Sequence, residues 1–142
     1  MNQTHNTNFY EMLAAACRKN GKGTAVFNDK EKTTYHALKQ EVDAVAAYLQ
    51  NMGVKFGDKV ALAVSNSPEF ISAYFAVSAI GAVAVPMNTF LKNNEYAYIL
   101  NDCKARFMFA SAGLQKELKG LKKQTRVEKI IWIGGGRSRC AF

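Results

Sequence analysis

Apolar and polar positions along this chain follow two alternating rhythms. Four short apolar runs, VALAV from Val60, AVAV from Ala82, FMFA from Phe107 and IIWI from Ile130, begin 22, 25 and 23 residues apart, and each gap holds a segment of helical period. Strands covered by helices on both faces are expected to be continuously apolar, as these are. Repeated strand–helix–strand units of this length predict a parallel sheet with right-handed crossovers. The fold class that follows is α/β, a mainly parallel sheet with helices on both faces.

Upstream of the runs, Tyr35, Leu38, Val42, Val45, Leu49 and Met52 share one face of a helix, with Lys39, Gln40, Asp43 and Gln50 opposite. Thr34 can cap this helix and Gly53 can end it, and its split character places it on the domain surface. Before it, GTAVF and KTTY flank NDKE, a pattern that predicts a hairpin with an Asn-Asp turn. An opening helix is expected over Phe9 to Lys19.

The longest apolar stretch needs separate treatment. No charge interrupts the 22 residues from Phe70 to Leu91, and roughly 20 apolar residues in a helix span a bilayer core. Gly81, Pro86 and Asn88 punctuate the run, however. Ser67 suits an N-cap, Pro68 the first helical position, and Glu69 the first turn, where a negative charge meets the helix dipole. The stretch is therefore expected to be a helix from Pro68 to Ile80, stopped at Gly81, followed by a strand closed by Pro86. No transmembrane segment is predicted. Phe70, Ile71, Tyr74, Phe75 and Val77 make this helix apolar nearly all round, so it should lie sandwiched between other elements.

Length and composition narrow the picture further. A chain of 142 residues is one domain's worth, able to bury roughly two thirds of its unfolded surface. The net charge of +8 is unevenly spread: residues 1–103 hold nine basic and nine acidic residues, residues 104–142 ten and two. The excess is expected around one helix carrying Lys116, Lys119, Lys122, Lys123, Arg126 and Lys129, with Arg137 and Arg139 in the tail. No aromatic residue interleaves with these lysines, which leaves no stacking platform for bases, and no nucleic-acid partner is expected. Cys17, Cys103 and Cys140 are odd in number and widely spaced, which suits a reducing compartment and neither a disulfide framework nor a zinc site. The opening MNQTHNTNFYEML has neither a basic start nor an apolar core. No secretory leader is expected, and a cytoplasmic location follows, with attachment to a membrane surface left open.

The residues themselves assemble no complete catalytic constellation. His5 lies in a polar tail and His36 in the first turn of a surface helix, neither matched to a Cys, Asp or Ser at relay or metal spacing. SNSPE lacks the glycines of a nucleophile elbow, so Ser65 and Ser67 read as a strand end and a helix cap. IIWIGGG would offer Gly134 to Gly136 to a phosphate, but such a loop needs a helix behind it and only RSRCAF remains. The catalytic and metal-ligating sets are both expected to be empty, and cofactor-binding residues are unassigned.

The order of segments carries a resemblance. TYHAL at Thr34 to Leu38, GVKFGDKVAL at Gly53 to Leu62, NSPEF at Asn66 to Phe70, GAVAVPMN at Gly81 to Asn88 and EYAYIL at Glu95 to Leu100 resemble the N-terminal region of the AMP-forming acyl-CoA synthetases, of the adenylate-forming superfamily. The match covers about residues 9 to 133 and looks most like a fatty-acid–CoA ligase. It implies the first subdomain of that fold, incomplete, and a full-length enzyme that uses ATP and Mg²⁺ to convert a carboxylic acid, here a fatty acid, to an acyl-adenylate, then passes the acyl group to coenzyme A. The family's glycine-rich phosphate loop, its ribose-binding aspartate, its hinge and its C-terminal lysine have no counterparts in this chain. Gly53, Gly57, Asp58, Pro68, Gly81, Pro86 and Asn88 match as turn and cap positions. A coenzyme A phosphate contact that some relatives make just after P-[LM]-N would fall to Lys92.

Two expectations follow. Residues 1–133 form the N-terminal part of a synthetase domain, inactive alone, with 134–142 an unassigned tail of the kind that truncation or a frameshift leaves. An interrupted sheet should also leave an open edge, so aggregation or dimerisation is expected. The alternative is a stand-alone α/β module binding nucleic acid or an acidic partner through its basic C-terminal helix. A small nucleotide-binding domain using Gly134 to Gly136 is a third reading.

Overall fold

A computed structural model of the chain describes residues 8–29 and 31–134. Helix α1 (Phe9–Asn20) leads into strands β1 (Thr24–Asn28) and β2 (Glu31–Thr34), then helix α2 (Tyr35–Asn51). Strand β3 (Lys59–Ala63), helix α3 (Pro68–Ala79), strand β4 (Val83–Pro86), helix α4 (Asn93–Cys103) and strand β5 (Phe107–Ser111) follow. A 3₁₀ turn (Ala112–Leu114) and one α-helical turn, α5 (Leu121–Gln124), connect β5 to β6 (Lys129–Ile133). β1 and β2 form the antiparallel hairpin expected from the NDKE turn, with Asp29 at φ 49°.

The larger sheet has the order β4-β3-β5-β6 with every pair parallel. Because side chains alternate along a strand, each central strand feeds two cores. Val60 and Leu62 of β3 and Phe107 and Phe109 of β5 pack with α1, α2 and α3 on one face. Ala61, Ala63, Met108 and Ala110 face α4 and the β5–β6 crossover, where Tyr96, Leu100, Leu118, Leu121 and Val127 are buried. Helices on both faces of a parallel sheet are thus present. β4 and β6 are its edges, and both are more exposed than the β3 and β5 pair between them.

The long uncharged run divides where its punctuation says it should. The Ser67 hydroxyl accepts from the Phe70 N–H at 3.3 Å, Pro68 opens α3, and Gly81 turns the chain at φ 68°. A Cβ on Gly81 would also meet the exposed Phe56 ring, but it is the positive φ that favours glycine there. Among the described residues no helix is long and apolar enough to cross a membrane. α3 does lie against α1, α2, β3 and β4. Its innermost side is nevertheless made of the small residues Ser72, Ala73 and Ala76 with Val77, while Phe70, Ile71, Tyr74 and Phe75 are half-buried at its flanks. Small residues let α3 sit close to the sheet, and the aromatics fill the gaps beside it.

One expected element is absent. The basic stretch from Lys116 to Lys129 is not one helix: it holds turns, the four-residue α5 and an extended segment into β6. Gly120, at φ 79°, breaks it, because an αL residue cannot continue a right-handed helix. The hypothesis of a basic C-terminal helix as a binding element therefore lacks its helix. At the sheet's entrance, Arg106 joins three elements: its Nε and Nη2 donate to Glu128 at 2.7 and 3.1 Å, and its Nη1 to Asp58 at 3.4 Å.

Candidate functional site

The sheet order places a crevice where ligands of such folds bind. From β3 the chain passes through α3 to β4 on one side, then through α4 back across β3 to β5 on the other. Connections that leave a strand pair in opposite directions, over opposite faces, cannot fill the space above its carboxyl ends. Here that space is a cleft of about 300 Å³ lined by Val64, Ser65, Ser67, Glu69, Ser111, Ala112, Gly113, Ile133 and Gly134. A second cleft of about 360 Å³ shares Val64 and Ser65 and continues along Asn66 and Met87 to Phe90.

Hydroxyls span the first cleft. Ser111 Oγ accepts from the Ser65 N–H at 3.0 Å and lies 3.4 Å from Ser65 Oγ, tying the ends of β3 and β5 together. Ser67 is occupied as the α3 cap. Glu69, on the first turn of α3, supplies the only charge among the lining residues. Behind it, the Glu41 carboxyl on α2 is held above the usual carboxylate range: burial is the largest cause, the Ser72 hydroxyl opposes it, and the charge of Glu69 adds to it. The single Ser72 proton has a second acceptor in the Pro68 carbonyl at 3.2 Å.

Chemically, this arrangement can orient a polar group through hydroxyls and strand-end amides. It contains no nucleophile beside a base, since Ser111 and Ser65 are bonded to each other and no histidine lines the cleft. Among the described residues no group of three or more His, Cys, Asp or Glu is placed to hold a metal ion. A polyphosphate with its cation calls for lysine, arginine or a run of free amides, and a lining whose charge is a carboxylate does not fit that group.

The other residues singled out above have local tasks. His36 is exposed, and its backbone N–H donates to the Gly21 carbonyl at 2.9 Å. Asp58 accepts from the Lys55 N–H at 2.9 Å, and Asn88 from the Phe90 N–H at 2.9 Å, each closing a turn. Gly53 and Gly57 take φ of 90° and 81°. Lys92 precedes α4, with its ammonium 3.9 Å from Glu117 and its side chain 74% exposed. His5, Cys140, Gly135, Gly136, Arg137 and Arg139 lie outside the described residues. Ser111 and Gly113 escaped the sequence reading. The available signal was shared by three runs, each of which ends on a small residue: Val64-Ser65, Ala110-Ser111 and Ile133-Gly134.

Known proteins resemble this chain in architecture and in sequence. Over 79 residues the chain is 40% identical to a crotonobetaine/carnitine–CoA ligase of Escherichia coli O139:H28, a match that takes in 56% of this chain and 15% of the ligase. The fold superposes on an anthranilate CoA ligase, AuaEII, solved with anthranoyl-AMP, with a TM-score of 0.86 and 30% identity, over 94% of this chain and 26% of that one. A Mycobacterium tuberculosis fatty acyl CoA synthetase gives 0.84 and 26% identity, over 89% of this chain and 26% of its own. The chain thus corresponds to about a quarter or less of each of these relatives. The family model described as AMP-binding enzyme matches residues 13–139, and the chain belongs to that family.

Proposed function

We propose that this chain serves as the N-terminal part of an ATP-dependent acid–thiol ligase, and that these 142 residues do not turn over by themselves. The carboxylic acid and ATP would give an acyl-adenylate and pyrophosphate; the thiol of coenzyme A would then displace AMP to give the thioester. The observation that carries the reading is the family match over residues 13–139, together with a cleft that contains no activated nucleophile. In this role the chain contributes a scaffold and one wall, the strand ends at Ser65 and Ser111, to a site completed by residues it does not possess.

The named relatives act on carnitine, anthranilate and fatty acyl groups, so the substrate class is a carboxylic acid, and a fatty acid is our choice within it. The cytoplasm is the compartment that suits ATP and coenzyme A as co-substrates. The Lys92 contact to a coenzyme A phosphate belongs to the same reading and requires release of Glu117.

Incubating the purified chain with ATP, Mg²⁺, coenzyme A and a panel of fatty, aromatic and betaine carboxylates tests it. Neither pyrophosphate nor acyl-CoA is expected above the protein-free control. Thioester formed by the chain alone would overturn the inactivity. Reading the coding sequence beyond Phe142 tests the rest: a glycine- and hydroxyl-rich phosphate loop in any nearby frame is expected, and its absence over a ligase's length would count against the assignment.

A further inference from the structure

The β5–β6 crossover presents cations that the fold leaves unneutralised. Leu118, Leu121 and Val127 are buried against the sheet, which forces the residues between them outward. Lys116, Lys119, Lys122, Lys123 and Arg126 are all exposed. Among the described residues no carboxylate lies within ion-pair distance of any of these five. The two acids in the same segment are engaged elsewhere: Glu117 accepts from the Asn93 N–H at 2.7 Å, and Glu128 is held by Arg106. Residues 104–134 hold eight basic and two acidic residues, a net of +6. On the neighbouring α4, Glu95 bonds the Lys92 N–H at 2.7 Å, and Asp102 is the remaining exposed acid.

We propose that this crossover is a docking surface for a lipid bilayer bearing anionic headgroups. Charge complementarity carries the argument, because clustered lysines near an anionic leaflet each contribute to a summed attraction that needs no specific pocket. The shape agrees: the cations stand on exposed turn and short-helix positions over the buried Leu118 and Leu121. Residues 112–129 contain no aromatic side chain, so no platform exists there for stacking bases. The elements that adjoin the crossover, α4 and β6, each carry an exposed aromatic, Tyr98 at 74% exposure and Trp132 at 38%, and amphipathic rings suit a headgroup layer. Lysine also outnumbers arginine, supplying point charges in place of bidentate forks.

Cosedimentation of the full 142-residue chain with vesicles provides the test. Binding is expected to vesicles of phosphatidylcholine and phosphatidylglycerol in equal parts, and not to pure phosphatidylcholine, and it should weaken as salt rises. The triple variant Lys119→Gln, Lys122→Gln, Lys123→Gln should lose partitioning by on the order of a hundredfold, at about fivefold per lysine. Its circular dichroism should match that of the parent, since all three side chains are exposed. Equal binding to neutral vesicles, no binding to either, or an unchanged triple variant would overturn the proposal. Displacement of the chain from the anionic vesicles by a DNA or RNA duplex at low concentration would also overturn it, in favour of a nucleic-acid partner.

Discussion

The two faces of the sheet are built to different depths. Toward α1, α2 and α3, the central strands present Val60, Leu62, Phe107 and Phe109; toward α4 they present Ala61, Ala63, Met108 and Ala110. Three helices and a hairpin leave wide spaces that large side chains must fill. Tyr96 and Leu100 of α4, with Leu118, Leu121 and Val127 of the crossover, instead lie over a floor that is small except at Met108. Volume is thus distributed by face, and alternation along each strand lets one five-residue segment satisfy both requirements.

This contrast can be broken by substitution, and the largest effect is expected on the deep face. Phe109→Ala should destabilise the fold by about 3–5 kcal/mol, read as a shift in the denaturant midpoint at constant m-value. On the shallow face the sign of the volume change reverses. Ala63→Leu should cost about 1–3 kcal/mol by overpacking against α4. A cost no greater than that of an exposed substitution would show that α4 is not closely seated. A smaller effect is expected from Tyr96→Phe, which keeps the ring but deletes the hydroxyl that donates to the Asn88 carbonyl at 2.8 Å; about 1 kcal/mol should be lost.

The smallest effect concerns charge, and it sharpens the comparison at the α2–α3 contact. Because the folded-state pKa of Glu41 is raised by burial, by the neighbouring Glu69 charge and against the Ser72 bond, the folded protein binds that proton more tightly than the unfolded chain. Its contribution to stability is therefore full below the ordinary value of 4.5 and is lost as pH rises through the folded value. Glu41→Gln should stabilise the protein at neutral pH by less than about 0.5 kcal/mol and leave acid stability unchanged. Asp43 behaves oppositely: burial would raise its pKa, but bonds from Lys39 and Tyr10 outweigh it and hold it low. That contribution is present above 3.8, its ordinary value, and lost as pH falls through the folded one. A pH titration of the melting temperature, for the parent and Glu41→Gln, separates the two.

Much of this architecture was legible in the residues because its signals are local. Ser67, Pro68 and Gly81 bound α3 within one residue of the expected limits, since caps and positive φ are decided by neighbours in sequence. The β5–β6 crossover misled for the same kind of reason. Leu114, Leu118 and Leu121 have helical spacing, and only the αL geometry at Gly120 reveals that the period is used by a broken turn. The cleft was the least legible feature. Ser65, Ser111 and Gly134 are far apart in sequence and meet only through strand order, and a sheet's order is set by which helices cover which face, a tertiary property that no short window contains.

Strand β4 ends on Pro86, and the two rims of the sheet consequently differ in what they offer a newcomer. The Val83 and Met87 N–H groups bond inward to Asp58 and Leu62, so alternation turns Ala84 and Pro86 outward, and proline carries no N–H to give. At the other rim the Glu128 N–H bonds inward to Arg106, which leaves Lys129, Ile131 and Ile133 facing out. Among the described residues, an added strand would find a single amide donor beside β4 and three beside β6. Growth of this sheet is therefore directional, blunted on one side by an imino acid and receptive on the other.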